Sequence, residues 1–264
     1  MKISVIMGIY NCDKFLDDAI KCVFNQTYSD WELIMCDDGS SDQTYEIAKK
    51  YEYAFPHKVK VLKNKTNKGL NYTLNKCLKE AKGEYIARMD GDDLCSTKRF
   101  EKEVEVLENR KDISIVSTQM EYFDENGVWG ICRYKENPNK KDFLRGSQFC
   151  HAASMVRKEA LDKVNGYTVD NRLLRVEDYH LWVKMYAAGY KGYNIQEPLY
   201  QMRDDKNAYR RRKLKYRINE MYVKFLLIKK FNLPAYSYLL AIKPIIVGLL
   251  PSRVYSFLHQ IRLK

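Results

Sequence analysis

The sequence predicts an α/β protein with a mostly parallel central sheet flanked by helices and a C-terminal helical extension. Three observations carry this. Short apolar runs alternate with segments of helical spacing through the first 118 residues. The chain has 264 residues and is 45% hydrophobic, enough to bury a large core. The charge divides it. Residues 1–200 hold 31 basic and 31 acidic side chains, whereas 201–264 hold 15 basic and 3 acidic, so the whole net charge of +12 lies in the last quarter.

Residues 3–9 form a compact apolar run, as in a strand buried on both faces. Residues 13–26 follow with helical spacing at Phe15, Leu16, Ala19, Ile20 and Val23. A second strand at 31–36 ends in Asp37-Asp38-Gly39-Ser40-Ser41-Asp42, a turn that also caps a helix running to Tyr51. Residues 59–62 predict a third strand, 68–81 a helix closed by Gly83, and 85–89 a fourth strand. That strand leads into Asp90-Gly91-Asp92-Asp93, then a helix over 97–109 and a fifth strand at 113–118. Alternation of this kind requires crossovers and a parallel sheet. Beyond 118 the pattern predicts a hairpin over 120–135 around Asp124-Glu125-Asn126-Gly127 and helices at 158–164 and 177–188. Two short strands follow at 192–195 and 198–202, the second opening on Pro198. Residues 1–205 read as one domain and 206–264 as a basic, amphipathic extension.

Composition excludes collagen, a coiled coil and a disulfide mini-protein. The seven cysteines, Cys12, Cys22, Cys36, Cys77, Cys95, Cys132 and Cys150, are odd in number and include no Cys-x-x-Cys, so they read as free thiols of a reducing compartment. The N-terminus turns polar at Asn11-Cys12-Asp13 without a signal-peptide pattern, and no uncharged stretch reaches the ~18–20 residues of a spanning helix.

Ligands of open α/β sheets bind beyond the C-terminal strand ends, where both acidic clusters fall. The first cluster alone reads as a solvated turn, since Asp and Gly suit turns, whereas the second already points to a ligand, and their joint occurrence strengthens both. Three carboxylates in four residues repel one another unless a positive charge lies between them. Mg²⁺ or Mn²⁺ commonly takes one or two carboxylates and completes its shell with substrate phosphates.

Further segments surround these clusters: Ser4-Val5-Ile6-Met7-Gly8-Ile9-Tyr10-Asn11, Gln26-Thr27-Tyr28-Ser29-Asp30-Trp31-Glu32-Leu33-Ile34, Asn67-Lys68-Gly69-Leu70 and Ala81-Lys82-Gly83-Glu84-Tyr85-Ile86. In this order, over about residues 1–203, the chain resembles family 2 glycosyltransferases of the A-type (GT-A) nucleotide-diphospho-sugar transferase fold. The resemblance implies a Rossmann-like sheet and an inverting transfer from a UDP-sugar. It places Ile9 and Tyr10 at the nucleotide base, Asp38 on the uracil imide, and Asp90-Gly91-Asp92 as the Asp-x-Asp. Asp92 becomes the metal ligand, with Asp90 near the ribose or a metal-bound water; Asp93 is the alternative ligand. The chain departs from the family at Gly8-Ile9, where Pro-Thr is common, and at Leu74, where many members carry Arg.

Glu177-Asp178-Tyr179-His180-Leu181-Trp182 resembles the family's Glu-Asp motif at a helix start. Alone it reads as an acidic first turn favoured by the helix dipole. By resemblance, Asp178 is the general base, Glu177 orients the acceptor and Trp182 packs beneath the site. His151, in Cys150-His151-Ala152-Ala153, is placed on the acceptor side, and Arg203 or Lys206 at the diphosphate.

In the extension, Arg210-Arg211-Arg212-Lys213 precedes apolar positions Met221, Phe225, Leu226 and Ile228, and Leu233–Leu250 is strongly apolar around Lys243-Pro244. Such a segment suits an anionic membrane surface; packing on the catalytic domain or on a second subunit, as a homo-oligomer, is the alternative. The combined expectation is a peripheral enzyme on the cytoplasmic face of the cell membrane. It uses Mn²⁺ or Mg²⁺ and a UDP-sugar to extend a saccharide, lipid-linked in this reading, for a surface polysaccharide. A sugar-phosphate nucleotidyltransferase would show a Gly-rich N-terminal loop with a basic residue, absent here. A nucleic-acid-binding module fits the tail but not the acidic strand ends, and no nucleic acid is expected as partner.

Overall fold

A computed structural model describes residues 1–204 and 213–249. Lys206, Arg210-Arg211-Arg212 and Leu250, named above, lie outside those residues.

The chain opens with β1 (Ile3–Ile9), α1 (Asp13–Phe24), β2 (Trp31–Asp37), α2 (Thr44–Ala54), β3 (Val59–Lys63), α3 (Leu70–Glu80) and β4 (Tyr85–Arg88). The strands stand in the order β3-β2-β1-β4, all parallel. β1 pairs with β2 from Ile3↔Trp31 to Ile9↔Asp37, so both strands end at one level and their loops open side by side. β1 is apolar throughout because both faces are covered. Val5, Met7 and Ile9 face a core with Leu16, Ala19, Ile20 and Val23 of α1. Ile6 faces a second core with Leu74 and Cys77 of α3.

Beyond β4 the sheet becomes mixed. β5 (Leu94–Cys95), α4 (Arg99–Asn109), β6 (Ile115–Asp124) and β7 (Gly127–Cys132) precede β8 (Met155–Arg157), α5 (Lys158–Lys163), α6 (Glu177–Ala187) and β9 (Gly192–Arg203). The order continues from β4 as β8-β6-β9-β5, with β7 beside β6. β6 and β9 are parallel; the β4–β8, β8–β6, β6–β7 and β5–β9 pairs are antiparallel. The predicted hairpin is β6–β7, whose tight connection permits only an antiparallel pair. The fifth strand runs on into that hairpin rather than ending at residue 118. The two strands expected over 192–202 are one, β9. It shifts register against β6 near Gln119, opposite Pro198, so an irregularity accommodates the proline.

The described part of the extension is α7 (Leu214–Lys230) and α8 (Ser237–Gly248). Val223, Leu227 and Ile228 of α7 join the second core beside Trp182, Met185 and Tyr186 of α6. α8 packs on α7 and leaves Leu239 (74% exposed), Ile246 (61%) and Leu249 (70%) uncovered. All seven cysteines are free.

Candidate active site

The strand-end loops are tied together before any ligand is considered. Asn11, with left-handed backbone (φ 47°), accepts a hydrogen bond from the Ser41 N–H at 2.9 Å, and its own N–H donates to Ser40 Oγ at 3.0 Å. Asp37 is fully buried and accepts from the Ser40 N–H. Asp38 accepts from Asn64 Nδ2, from the Lys68 N–H and from the Gly69 N–H, each at 2.8 Å. Asp38 therefore folds the 64–69 loop over the end of β2. Of its two oxygens, Oδ1 already takes two donors and Oδ2 one. Gly39 is required by its backbone: φ is 79°, and a Cβ there would lie 3.0 Å from the Thr66 carbonyl carbon. Ile9, half-exposed Tyr10, Asp38, Lys68 and Gly69 line a cavity of about 410 Å³.

The second acidic loop follows β4. Asp93 is buried and accepts from the Tyr200 hydroxyl at 2.9 Å and from the Arg203 N–H at 2.7 Å. Burial, then Asp90 and Asp92, hold its carboxyl well above the usual carboxylate range. Asp93 thus anchors the loop to β9, with one hydrogen bond on each oxygen. Asp90 meets the Arg88 guanidinium at 2.6 Å. Asp92 is exposed to the cavity, and desolvation by the surrounding loop followed by repulsion from Asp90 raises its pKa. Gly91 packs tightly beneath them, since a Cβ would stand 3.0 Å from Cys12 Sγ and from Ile9 Cγ2. Arg203 donates to the Asp92 carbonyl at 3.0 Å and lies between the Phe15 and Phe123 rings. It braces the loop. Asp90, Asp92, Asp93 and Arg203 line a second cavity of about 510 Å³ with Arg217 and Glu220 from α7.

α6 supplies the third part. Glu177 and Asp178 occupy its first turn, where the dipole favours negative charge. Asp178 accepts from Ser147 Oγ at 2.9 Å, and burial raises its pKa. Glu177, on the wall of the 410 Å³ cavity, is pushed up to about 7 by burial and by the charge of Asp178. His151 Nε2 is 2.7 Å from the Tyr167 hydroxyl, and burial followed by the charge of Arg88 keeps the ring neutral. Trp182 is fully buried against Phe149 and His151. His151 and Trp182 line neither cavity and support the site from behind.

Arg88 connects the halves. It pairs with Asp90, its field lowers the pKa of Asp178, and its Nε and Nη1 are buried without partners. The Tyr167 hydroxyl feels Arg88, Asp178, Glu177 and Asp90 together. Asp90 and Asp92 thus face one cavity, and Asp178, a half-buried carboxylate whose pKa is raised, lines neither cavity but shares the field of Arg88 with them. No group of three or more metal-ligating side chains occurs among the described residues. The pair fits a hard divalent ion that completes its shell with phosphate and water.

Several site residues escaped the sequence reading. Arg88 left a signal, a lone cation inside an apolar strand, which demands a partner. Ser147, Tyr167 and Tyr200 left none, because each meets its carboxylate partner across 31, 11 and 107 residues or contributes only through its field. Tyr216, Arg217 and Glu220 join the cavity walls because α7 folds back against them, and Arg175 joins from the link before α6.

With this geometry in view, comparison with known proteins is informative. Residues 4–164 match the sequence model of glycosyl transferase family 2. The putative glycosyltransferase EpsE of Bacillus subtilis is 41% identical over 99% of this chain and 94% of its own length. The UDP-Gal:alpha-D-GlcNAc-diphosphoundecaprenol beta-1,3-galactosyltransferase of Escherichia coli is 31% identical over 98% of this chain and 95% of its own. Among solved structures, S. aureus TarS 1–349 in complex with UDP-GlcNAc superposes with a TM-score of 0.71 at 18% identity, covering 94% of this chain and 72% of that one. The fold is therefore GT-A.

Proposed function

The chain belongs to glycosyl transferase family 2 and is a glycosyltransferase, and we propose that it moves a sugar from a UDP-sugar to a saccharide acceptor with inversion at the anomeric carbon. The observation that supports this most is the disposition of carboxylates. Asp90 and Asp92 border one cavity, Glu177 of the first turn of α6 lines the neighbouring one, and Asp178 beside it shares the fields of Arg88 and Tyr167 with Asp90.

In this reading Tyr10 and the 64–69 loop hold the nucleoside, and the diphosphate extends toward Asp92. Asp178 takes the proton of the acceptor hydroxyl as that oxygen attacks the anomeric carbon. Ser147 fixes the carboxylate, and burial raises its basicity; positioned bases of this kind contribute about 10²–10⁴-fold. Glu177 orients the acceptor. Mn²⁺ or Mg²⁺ would be held by Asp90 and Asp92, and when bound supplies positive charge against the diphosphate. The acceptor we infer is lipid-linked, as the name of the Escherichia coli relative states for that enzyme, within synthesis of a surface polysaccharide.

The extension supports a membrane placement, peripheral on the cytoplasmic face. Leu239 and Ile246 on α8 and Leu249 just beyond it are exposed, and Lys229, Lys230 and Lys243 are exposed near them in sequence. No helix among the described residues is long and apolar enough to cross a membrane.

The testing experiment is a screen of UDP-sugars for UDP release, followed by calorimetry of UDP with Mn²⁺, with Mg²⁺ and with chelator. Release from one UDP-sugar, and metal-dependent UDP binding lost in Asp92→Ala, are expected. Binding that ignores metal removes the metal assignment, and release from no UDP-sugar removes the donor assignment.

A further inference from the structure

A donor that runs from the nucleoside cavity to the acidic loop must pass between them. Among the described residues, two line both cavities: Arg175 and Tyr216. Tyr216 comes from the first turn of α7, so the extension builds part of this passage.

Other cations at these walls are already engaged. Arg217 pairs with Glu220 at 3.1 Å, and Glu220 also holds Lys224 at 3.1 Å. Arg203 holds the Asp92 carbonyl and lies between two rings. Arg88 is buried beneath Asp90. Lys68 lines only the nucleoside cavity. Arg175 forms no ion pair within 4 Å among the described residues, its charge reaching only as far as a weak pull on the Glu177 carboxylate, and its side chain is exposed where it lines both cavities.

Its backbone is unusual as well. Arg175 is left-handed, φ 68°, in the link between Leu174 and the first turn of α6. A long side chain gains nothing from that conformation, which glycine adopts freely. Backbone strain of this kind concentrates where surrounding structure holds a side chain in place for a ligand.

We propose that Arg175 is the cation that binds the diphosphate of the donor at the joint between the two cavities. A guanidinium suits this because its planar donors match phosphate oxygens two at a time. It also meets the charge that grows on the leaving diphosphate as the sugar departs. The assignment rests on the UDP-sugar reading above.

The test is binding of UDP and of uridine to the full-length protein, by calorimetry and ligand-observed NMR. Arg175→Ala and Arg175→Gly are expected to weaken UDP by about tenfold or more while leaving uridine unchanged. Arg175→Lys should recover part of the loss. Arg175→Gly relaxes the left-handed residue, so its Tm should hold or rise, which separates lost binding from lost folding. Unchanged UDP affinity in the Gly variant, or UDP and uridine weakening together, overturns the assignment and leaves the donor reading intact. Wild-type protein that binds no UDP overturns both.

Discussion

Single residues in this site do two things at once, and their charges show it. Glu177 sits at a helix start and a cavity wall, with its carboxyl pushed up to about 7 by burial and then by Asp178. Folding therefore favours its protonated form. That contribution is fully present below about pH 4.5 and is lost as pH rises through about 7. Glu177→Gln should leave stability unchanged near pH 4 and raise it by about 1–3 kcal/mol above pH 8, read from urea unfolding at both pH values. Tyr200 joins two members of the acidic loop, donating to Asp93 and accepting from the Asp90 N–H at 3.2 Å. Tyr200→Phe leaves both without that partner and should cost about 1–3 kcal/mol, again by urea unfolding. Asp38 was readable as a site residue because it follows a strand in a turn sequence. Its three bonds to the 64–69 loop were not readable, because the donors lie 26 to 31 residues away.

Elements divide along similar lines. Those with a strong local period, α1, α3, α4 and α6, stand within about two residues of their expected bounds, because an apolar stripe matched to one buried face leaves little choice. β5 and β8, of two and three residues, are too short to show a period and exist only as partners of β9, β4 and β6. The described part of the extension packs on the catalytic domain, one of the two alternatives its sequence allowed, and leaves apolar side chains of α8 exposed. α7 buries Val223, Leu227 and Ile228 in the second core, so Leu227→Ala should cost about 2–5 kcal/mol in chemical denaturation. α8 leaves Leu239 and Ile246 exposed, so the double change Leu239→Asp with Ile246→Asp should cost under about 1 kcal/mol. The same change should release the protein from anionic liposomes; unchanged co-sedimentation removes the membrane reading of α8. Deleting 207–264 is a poorer test, because it strips α7 from the core.

For the whole molecule, charge and topology reinforce each other. The net +12 lies in residues 201–264, and the neutral first 200 residues place acidic clusters at the ends of β2 and β4. The parallel half of the sheet was legible because helices must lie between its strands. The mixed half was not, because β8 enters between β4 and β6 by a pairing nothing local announces. That entry sets β6 and β9 beside the site, where Tyr200 and Arg203 brace the acidic loop and α7 closes one wall. The central proposal is that Asp178 acts as the base on the acceptor while the donor is held by its diphosphate. The most direct measurement compares wild type with Asp178→Asn for UDP affinity and for transfer from the UDP-sugar found in the screen. The account predicts UDP affinity within about twofold of wild type and transfer lowered by about 10²–10⁴-fold. Transfer at the wild-type rate with UDP affinity intact would contradict it.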